Sequence, residues 1–203
     1  MEISVKPHQV RRFAVCYLFD QVNRDKGVRL QFGRFFREIS AIYEKQANTT
    51  LVNIDGNASS NAATAKSITL NGTSGKTFKL FDGKLLTRVV DTFESTFPGV
   101  FAQTNCVVFP VTVPLVVGKK HPLGFQMNIH RTSDNQKFNT IFLGPTQNTK
   151  DRALLHTLAH EIGHTFGLDH NPAKQPPGPK PKVLPDPNLL PNSMHNIFSN
   201  RSD

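Results

Sequence analysis

Short hydrophobic runs at four places along the chain predict β-strands. Residues 13–21, 49–55 and 105–113 are rich in aromatic and β-branched side chains and are bounded by polar or turn-forming residues. Segment 124–144 contains two further runs on either side of a polar turn at 133–136, which predicts a pair of adjacent strands. The chain therefore contains enough strand signals to form a sheet.

Helical spacing of hydrophobic residues is found in three other segments. In 29–48 the apolar side chains recur at intervals of three and four, which predicts an amphipathic helix. These side chains are Phe32, Phe35, Phe36, Ile39 and Ile42. Segment 82–99 predicts a second helix that Pro98 and Gly99 end, and a third helix is expected to start near Thr149.

Two segments have the composition of loops. Residues 56–77 are small and polar and predict a surface loop or insertion. Residues 171–192 are rich in proline, which fits neither a helix nor a central strand, and predict an extended, flexible loop. Strands and helices therefore occupy the chain up to the third helix, and irregular structure is expected after it.

Length and composition fit one globular domain. The 203 residues, of which 37% are hydrophobic, are sufficient to form a buried core without the help of disulfides or metal ions. No apolar run approaches the roughly 20 residues that span a bilayer. The N-terminus lacks the features of a signal peptide, so we expect an intracellular protein, or a secreted one if a leader is missing. We expect a monomer.

The net charge of +9 raises the question of nucleic-acid binding. Lysines and arginines are scattered rather than clustered, and no aromatic residues are interleaved with them as in a base-stacking surface. The charge therefore predicts a basic surface that favours acidic partners, and we do not expect a nucleic-acid partner.

The chain has only two cysteines, Cys16 and Cys106, and each lies in a predicted strand. We expect two buried thiols that behave as small apolar side chains. A single disulfide is the alternative, and it would indicate an oxidising compartment.

Four of the eight histidines lie in the stretch HTLAHEIGHTFGLDH, which begins at residue 156. His160 and His164 are four residues apart, so a helix places both on one face, where they can share a Zn²⁺ ion. Glu161 is next to them and is a candidate general base. His156 could pair with His160 instead, but that pair would have Thr157 in the position of the base, so we expect His156 to be scaffold.

Gly167 can adopt a positive φ angle, end the helix and turn the chain so that His170 returns as a third ligand. Three protein ligands leave a fourth position for water, which is typical of a catalytic zinc site. Shuffled sequences of this composition would contain the full pattern on the order of once in fifty thousand. Coincidence is therefore a poor explanation.

The segment HEIGHTFGLDH resembles the motif H-E-x-x-H-x-x-G-x-x-H of the metzincin zinc peptidases, and its Gly163 is most similar to the matrixin version. The resemblance implies a Met-turn under the three imidazoles, for which Met194 is the candidate. Asn171, after the third histidine, matches neither the serine of matrixins nor the aspartate of adamalysins, so the subfamily is not assigned.

The resemblance implies an α+β, metzincin-like zincin fold, with a mixed twisted sheet, an active-site zinc helix and a short irregular C-terminal subdomain. It implies one metallopeptidase catalytic domain over 1–203, divided into subdomains 1–167 and 168–203. The implied activity is that of a zinc metalloendopeptidase with one catalytic Zn²⁺, held by His160, His164 and His170, and with Glu161 as general base. The alternative is an inactive metzincin-like zinc scaffold that acts as a binding protein.

By the same resemblance, a protein or peptide substrate would lie extended and pair with an edge strand above the zinc helix. The candidate for this strand is 124–131. Such pairing binds the substrate through its backbone, while a pocket beside the metal provides selectivity.

Overall fold

A computed structural model of the chain describes residues 7–20, 32–56, 65–70, 77–131, 134–145 and 150–170. The helices are α1 (Phe32–Ala47), α2 (Gly83–Thr96), α3 (Val100–Gln103) and α4 (Asp151–Thr165). The strands are β1 (Gln9–Asp20), β2 (Thr49–Asn53), β3 (Lys66–Leu70), β4 (Phe78–Lys79), β5 (Cys106–Pro110), β6 (Leu115–Val116), β7 (Gly124–His130) and β8 (Lys137–Leu143). No helix in these ranges is long and apolar enough to cross a membrane.

The main sheet is mixed, as predicted, and mostly parallel. Its order is β2-β1-β5-β8-β7, with β3 also paired to β1, and only β7 runs antiparallel to its neighbour. Strands β4 and β6 form a separate parallel pair. Helices alternate with these strands along the chain, so the architecture is a mixed α/β arrangement.

Helices cover both faces of the sheet, and this explains the continuous hydrophobic run in β1. Phe13, Val15 and Tyr17 face a core that α1 and α4 complete. Ala14 and Cys16 face the opposite core, to which α2 contributes. A strand buried on both faces needs apolar side chains at every position.

The buried residues of α1 are those that were predicted, except for the last one. Phe32, Phe35, Phe36 and Ile39 are buried, whereas Ile42 is only half-buried. Tyr43 takes its place in the core, and its hydroxyl donates a 2.9 Å hydrogen bond to the carbonyl of Ala159 in α4. This bond links α1 directly to the helix that carries the histidines.

The prediction that 56–77 forms only a surface loop was wrong, because β3 lies within it. Ile68 and Leu70 are buried, and Ser67 and Thr69, which alternate with them, are less so, which is the pattern of a half-buried strand. The signal is short and lies among small polar residues, so the composition of the segment obscured it.

Strands β2 and β3 share one edge of β1, and Asp55 lies at the break between them. β2 pairs with residues 9–13 of β1, and β3 pairs with residues 16–20. The N–H of Val15 falls between these ladders and donates a 2.9 Å hydrogen bond to Oδ2 of Asp55. Lys66 forms an ion pair with the same carboxylate, of which only 4% is exposed. The buried Asp55 carboxylate therefore accepts the hydrogen bond that the Val15 N–H needs, and Lys66 balances its charge.

Cys16 and Cys106 are free, buried thiols, as predicted. They lie on adjacent strands but face opposite cores of the sheet. Burial raises the pKa of both thiols.

Candidate metal centre

Three imidazoles meet at the end of α4. The rings of His160, His164 and His170 form a nearly equilateral triangle, with centroid separations of 4.8, 5.1 and 4.9 Å. One ligand nitrogen from each ring can be chosen so that all three lie within 4.8 Å of one another. A tetrahedral ion bound at about 2.0–2.1 Å would set the nitrogens roughly 3.3 Å apart, so small ring rotations suffice. The donor set fits zinc.

The end of α4 explains how the third histidine reaches the other two. Gly167 has a φ of +79°, the left-handed conformation that glycine adopts without strain. The N–H of Gly167 donates to the carbonyl of His164, and the N–H of Leu168 donates to that of Gly163. These two bonds define a Schellman motif, which ends a helix and reverses the chain. Three residues after Gly167, the chain has brought His170 back to the helix end.

His164 is held in one tautomer by the same turn. Its Nδ1 lies 2.7 Å from the carbonyl oxygen of Leu168, and because that oxygen can only accept, Nδ1 carries the proton. Nε2 is then left with its lone pair for a metal. Burial lowers the pKa of His164, and the neutral form that this favours is the one that binds metals.

Glu161 directly follows His160 in the sequence, but its side chain is buried against β7. It is 7% exposed, and its Oε2 accepts a 2.7 Å hydrogen bond from the main-chain N–H of Gln126 in β7. Burial raises the pKa of this carboxyl group to about 7, and the hydrogen bond from Gln126 opposes that shift. A metal ion nearby would act in the same direction as the hydrogen bond.

Gly124 allows β7 to come this close to α4. A Cβ atom on residue 124 would lie 2.5 Å from Cγ2 of Thr157 and 3.0 Å from Cγ of Glu161. Neither distance is compatible with an undisturbed side chain at this position. The absence of a side chain at Gly124 therefore sets the distance between the strand and the candidate zinc helix.

A cavity of about 620 Å³ lies between β7 and the end of α4. Residues 122–126 line one wall, and the three histidines, Glu161 and Thr157 line the other. The candidate metal ligands and the candidate base therefore open onto a single cavity.

The strand that borders this cavity is the edge of the sheet among the described residues. On either side of β7, the N–H of Gly144 donates to the carbonyl of Leu123, and the N–H of Arg131 donates to the carbonyl of Gln136. Because these bonds alternate along an antiparallel pair, the N–H and C=O groups of residues 124, 126, 128 and 130 point away from β8. The outward N–H of Gln126 already donates to Glu161, so an extended peptide could pair with the other outward groups. The predicted edge position of 124–131 is confirmed for β7 within the described part of the sheet.

The sequence-predicted site residues divide into two sets. His160, His164, His170, Glu161 and Gly167 lie together, whereas His156 is half-buried and outside the three-histidine group. Met194 lies outside the described residues, as does the proline-rich segment 171–192, so the Met-turn stays a prediction. The division of 1–203 into two subdomains and the matrixin-like character of the zinc helix also stay predictions.

Sequence reasoning identified Gly124, Gln126 and Leu168 only as parts of longer segments. Gln126 and Leu168 act through main-chain atoms, which carry no side-chain signal. A glycine at the start of a predicted strand can indicate a close approach, so Gly124 had a weak signal.

Comparisons with known proteins give likenesses among solved structures. No protein-family model matches the chain, and no curated protein matches it. Among solved structures, the chain is similar to the crystal structure of archaemetzincin from Methanopyrus kandleri, at 15% sequence identity and a TM-score of 0.44. The match covers 80% of this chain and 77% of that chain.

Proposed function

We propose that the protein is a zinc-dependent endopeptidase. His160, His164 and His170 would hold one Zn²⁺ ion, and Glu161 would act as general base. The observation that carries this proposal is a buried carboxylate, fixed by a main-chain hydrogen bond, in the same cavity as three converging imidazoles. A purely structural zinc site has no use for such a carboxylate, and its fourth position is closed by a further ligand.

The chain's own groups fit peptide hydrolysis. Zinc bound by the three histidines would supply a Lewis acid and lower the pKa of a water molecule. Glu161 would take the proton of the attacking water and deliver it to the departing amine. The N–H of Gln126 orients the Glu161 carboxylate for both transfers. The Leu168 carbonyl holds the proton of His164 on Nδ1, which would leave Nε2 as the atom that binds the metal.

The open edge of β7 fits an extended substrate. Apart from the N–H of Gln126, which donates to Glu161, its outward N–H and C=O groups can form a β-ladder with a peptide whatever the peptide's side chains are. The same strand contacts Glu161 through Gln126, so a bound peptide would lie beside the base. This arrangement favours cleavage within a chain over action on a small molecule.

The test is a cleavage assay with two matched variants. Purified protein of known zinc content is incubated with a mixed peptide library, and the products are read by mass spectrometry. We expect wild-type protein to cut peptides, Glu161→Gln to retain zinc but lose nearly all turnover, and His164→Ala to lose both. A chelator should abolish the wild-type cuts.

Two outcomes would contradict the proposal in different ways. One zinc per chain without any cleavage would favour the alternative, an inactive zinc scaffold that binds partners. Cleavage by Glu161→Gln at the wild-type rate would exclude the proposed base.

A further inference from the structure

A second cavity continues along β7 beyond the candidate active site. It has a volume of about 670 Å³ and lies between residues 127–130 of β7 and the first two turns of α2. The candidate active site is lined by residues 122–126 of the same stretch. A peptide paired with the outward groups of β7 and continuing in this direction would therefore pass the second cavity, which lies on the face of the sheet covered by α2 rather than on the face covered by α4.

Two aromatic residues occupy the junction between the cavities. Phe125 lines the first cavity and packs edge-to-face on Phe81, with ring centroids 5.8 Å apart. Phe81 is 66% exposed and is followed by Asp82, the N-cap of α2. The start of α2 is thus held against β7 where the first cavity ends.

The second cavity has a basic lining. Lys84 and Arg88 contribute from α2 and His130 from β7, and none of the described residues that line it is acidic. Two of the neighbouring carboxylates have partners of their own. Asp82 accepts a hydrogen bond from the N–H of Leu85, and Glu94 forms an ion pair with Arg131. The cavity therefore presents positive charge to whatever lies along this part of the edge strand.

We propose that this basic groove is a subsite for an acidic side chain of an extended peptide substrate. The inference rests on the proposed peptidase function and names the substrate class of that site. Outward-pointing main-chain groups recur at 126, 128 and 130. Met127 and Ile129 pack in the core that α2 helps to form, so peptide side chains opposite them would lie on the α2 side of the strand. The acidic residue would accordingly lie one or three positions from the peptide residue opposite Gln126, since side chains alternate between the two faces of a strand.

The test compares pairs of peptides that differ only by Glu or Gln at each position around the cleaved bond. We expect wild-type kcat/KM to be about fivefold higher for Glu than for Gln on one side of the bond, and the ratio to fall with added salt. Lys84→Glu should remove or invert this preference while cleavage of the Gln peptides continues. Lys84 is exposed and lies in the first helical turn, where an acidic residue is tolerated, so this variant should fold.

Arg152→Glu is the matched control. Arg152 is exposed in the first turn of α4, which packs on the opposite face of the sheet, and the substitution changes the net charge equally. It should keep the Glu preference. If both variants lose it equally, the effect belongs to overall charge and the subsite is wrong.

A binding measurement separates this inference from the proposed activity. Fluorescence anisotropy of labelled Glu and Gln peptides is recorded with zinc-free protein. Cleavage without any Glu preference would overturn the subsite and leave the peptidase intact. Binding of the Glu peptide that depends on Lys84, without cleavage, would support the groove and overturn the peptidase. If the protein neither cleaves the peptides nor binds the Glu peptide through Lys84, both the peptidase and the subsite are wrong. An oligonucleotide of equal charge that binds as tightly, with the same Lys84 dependence, would overturn the peptide assignment.

Discussion

Gly124 and Glu161 approach so closely that a Cβ atom on residue 124 would lie 3.0 Å from the Glu161 Cγ. This contact sets the distance between the edge strand and the helix that carries the candidate ligands. It also brings the N–H of Gln126 within 2.7 Å of the Glu161 carboxylate. A residue without a side chain thereby determines the position of the candidate base.

Gly124→Ala should therefore separate the strand from α4. We expect a loss of about 1–3 kcal/mol of unfolding free energy from overpacking and a large loss of turnover, with zinc content unchanged. Urea unfolding and kcat measure the two effects. Thr157→Ala removes the methyl group that lies 2.5 Å from the added Cβ, so the double variant should recover part of both losses. Failure of the double variant to recover either would mean that this contact is not the cause.

Gly167 should respond to substitution through its backbone alone. A Cβ at this position would meet no atom of the described residues within 4 Å, but its φ of +79° is unfavourable for most residues. Gly167→Val should lower zinc affinity and destabilise the turn by about 1–2 kcal/mol. Gly167→Asn should lose much less, because asparagine tolerates this conformation. Competition with a zinc-binding dye gives the affinities, and equal losses in the two variants would contradict the argument.

Tyr43→Phe should weaken the attachment of α1 to α4. It removes the 2.9 Å hydrogen bond to the Ala159 carbonyl but retains the ring, which packs against Phe166. We expect a loss of about 1 kcal/mol in urea unfolding. Tyr43→Leu, which also removes the ring contact, should cost more. Equal stability of wild type and Tyr43→Phe would show that the hydroxyl contributes nothing.

Asp55 should be more sensitive than the exposed carboxylates. Asp55→Ala leaves the Val15 N–H and the Lys66 ammonium without their acceptor, and we expect a loss of about 3 kcal/mol of unfolding free energy. Asp134→Ala breaks an exposed ion pair with Arg131 and should have a much smaller effect. Thermal unfolding compares them, and similar shifts in the two variants would contradict the role of burial.

The two cysteines should be unreactive in the folded protein. Burial raises the pKa of both thiols, so each stays protonated and inaccessible at neutral pH. Ellman's reagent should label neither thiol in native buffer and both in denaturant, with or without prior reduction. Labelling that requires reduction would indicate a disulfide instead.

The candidate ligands were predictable from the sequence because their spacing is local. The four-residue interval places His160 and His164 on one face of a helix, and Gly167 marks the turn that brings His170 back to them. The surroundings of Glu161 were not predictable, because its partner is a main-chain N–H in another element. Strand β3 was missed for a different reason, since five residues among small polar ones give too short a pattern. Its pairing with β1 depends on the sheet, which the local sequence does not specify.

The Schellman turn at the end of α4 affects the order in which zinc binding and turnover would be lost on unfolding and recovered on refolding. All three candidate ligands lie within residues 160–170, so metal capture depends on one short segment and its own hydrogen bonds. The setting of Glu161 depends on Gln126, 35 residues earlier in the chain. A partly unfolded chain that keeps only α4 and its turn would keep the three proposed zinc ligands. It would lose the hydrogen bond from Gln126 to the proposed base, Glu161, and would therefore not cleave peptides. Recovery of zinc during refolding should therefore precede recovery of turnover.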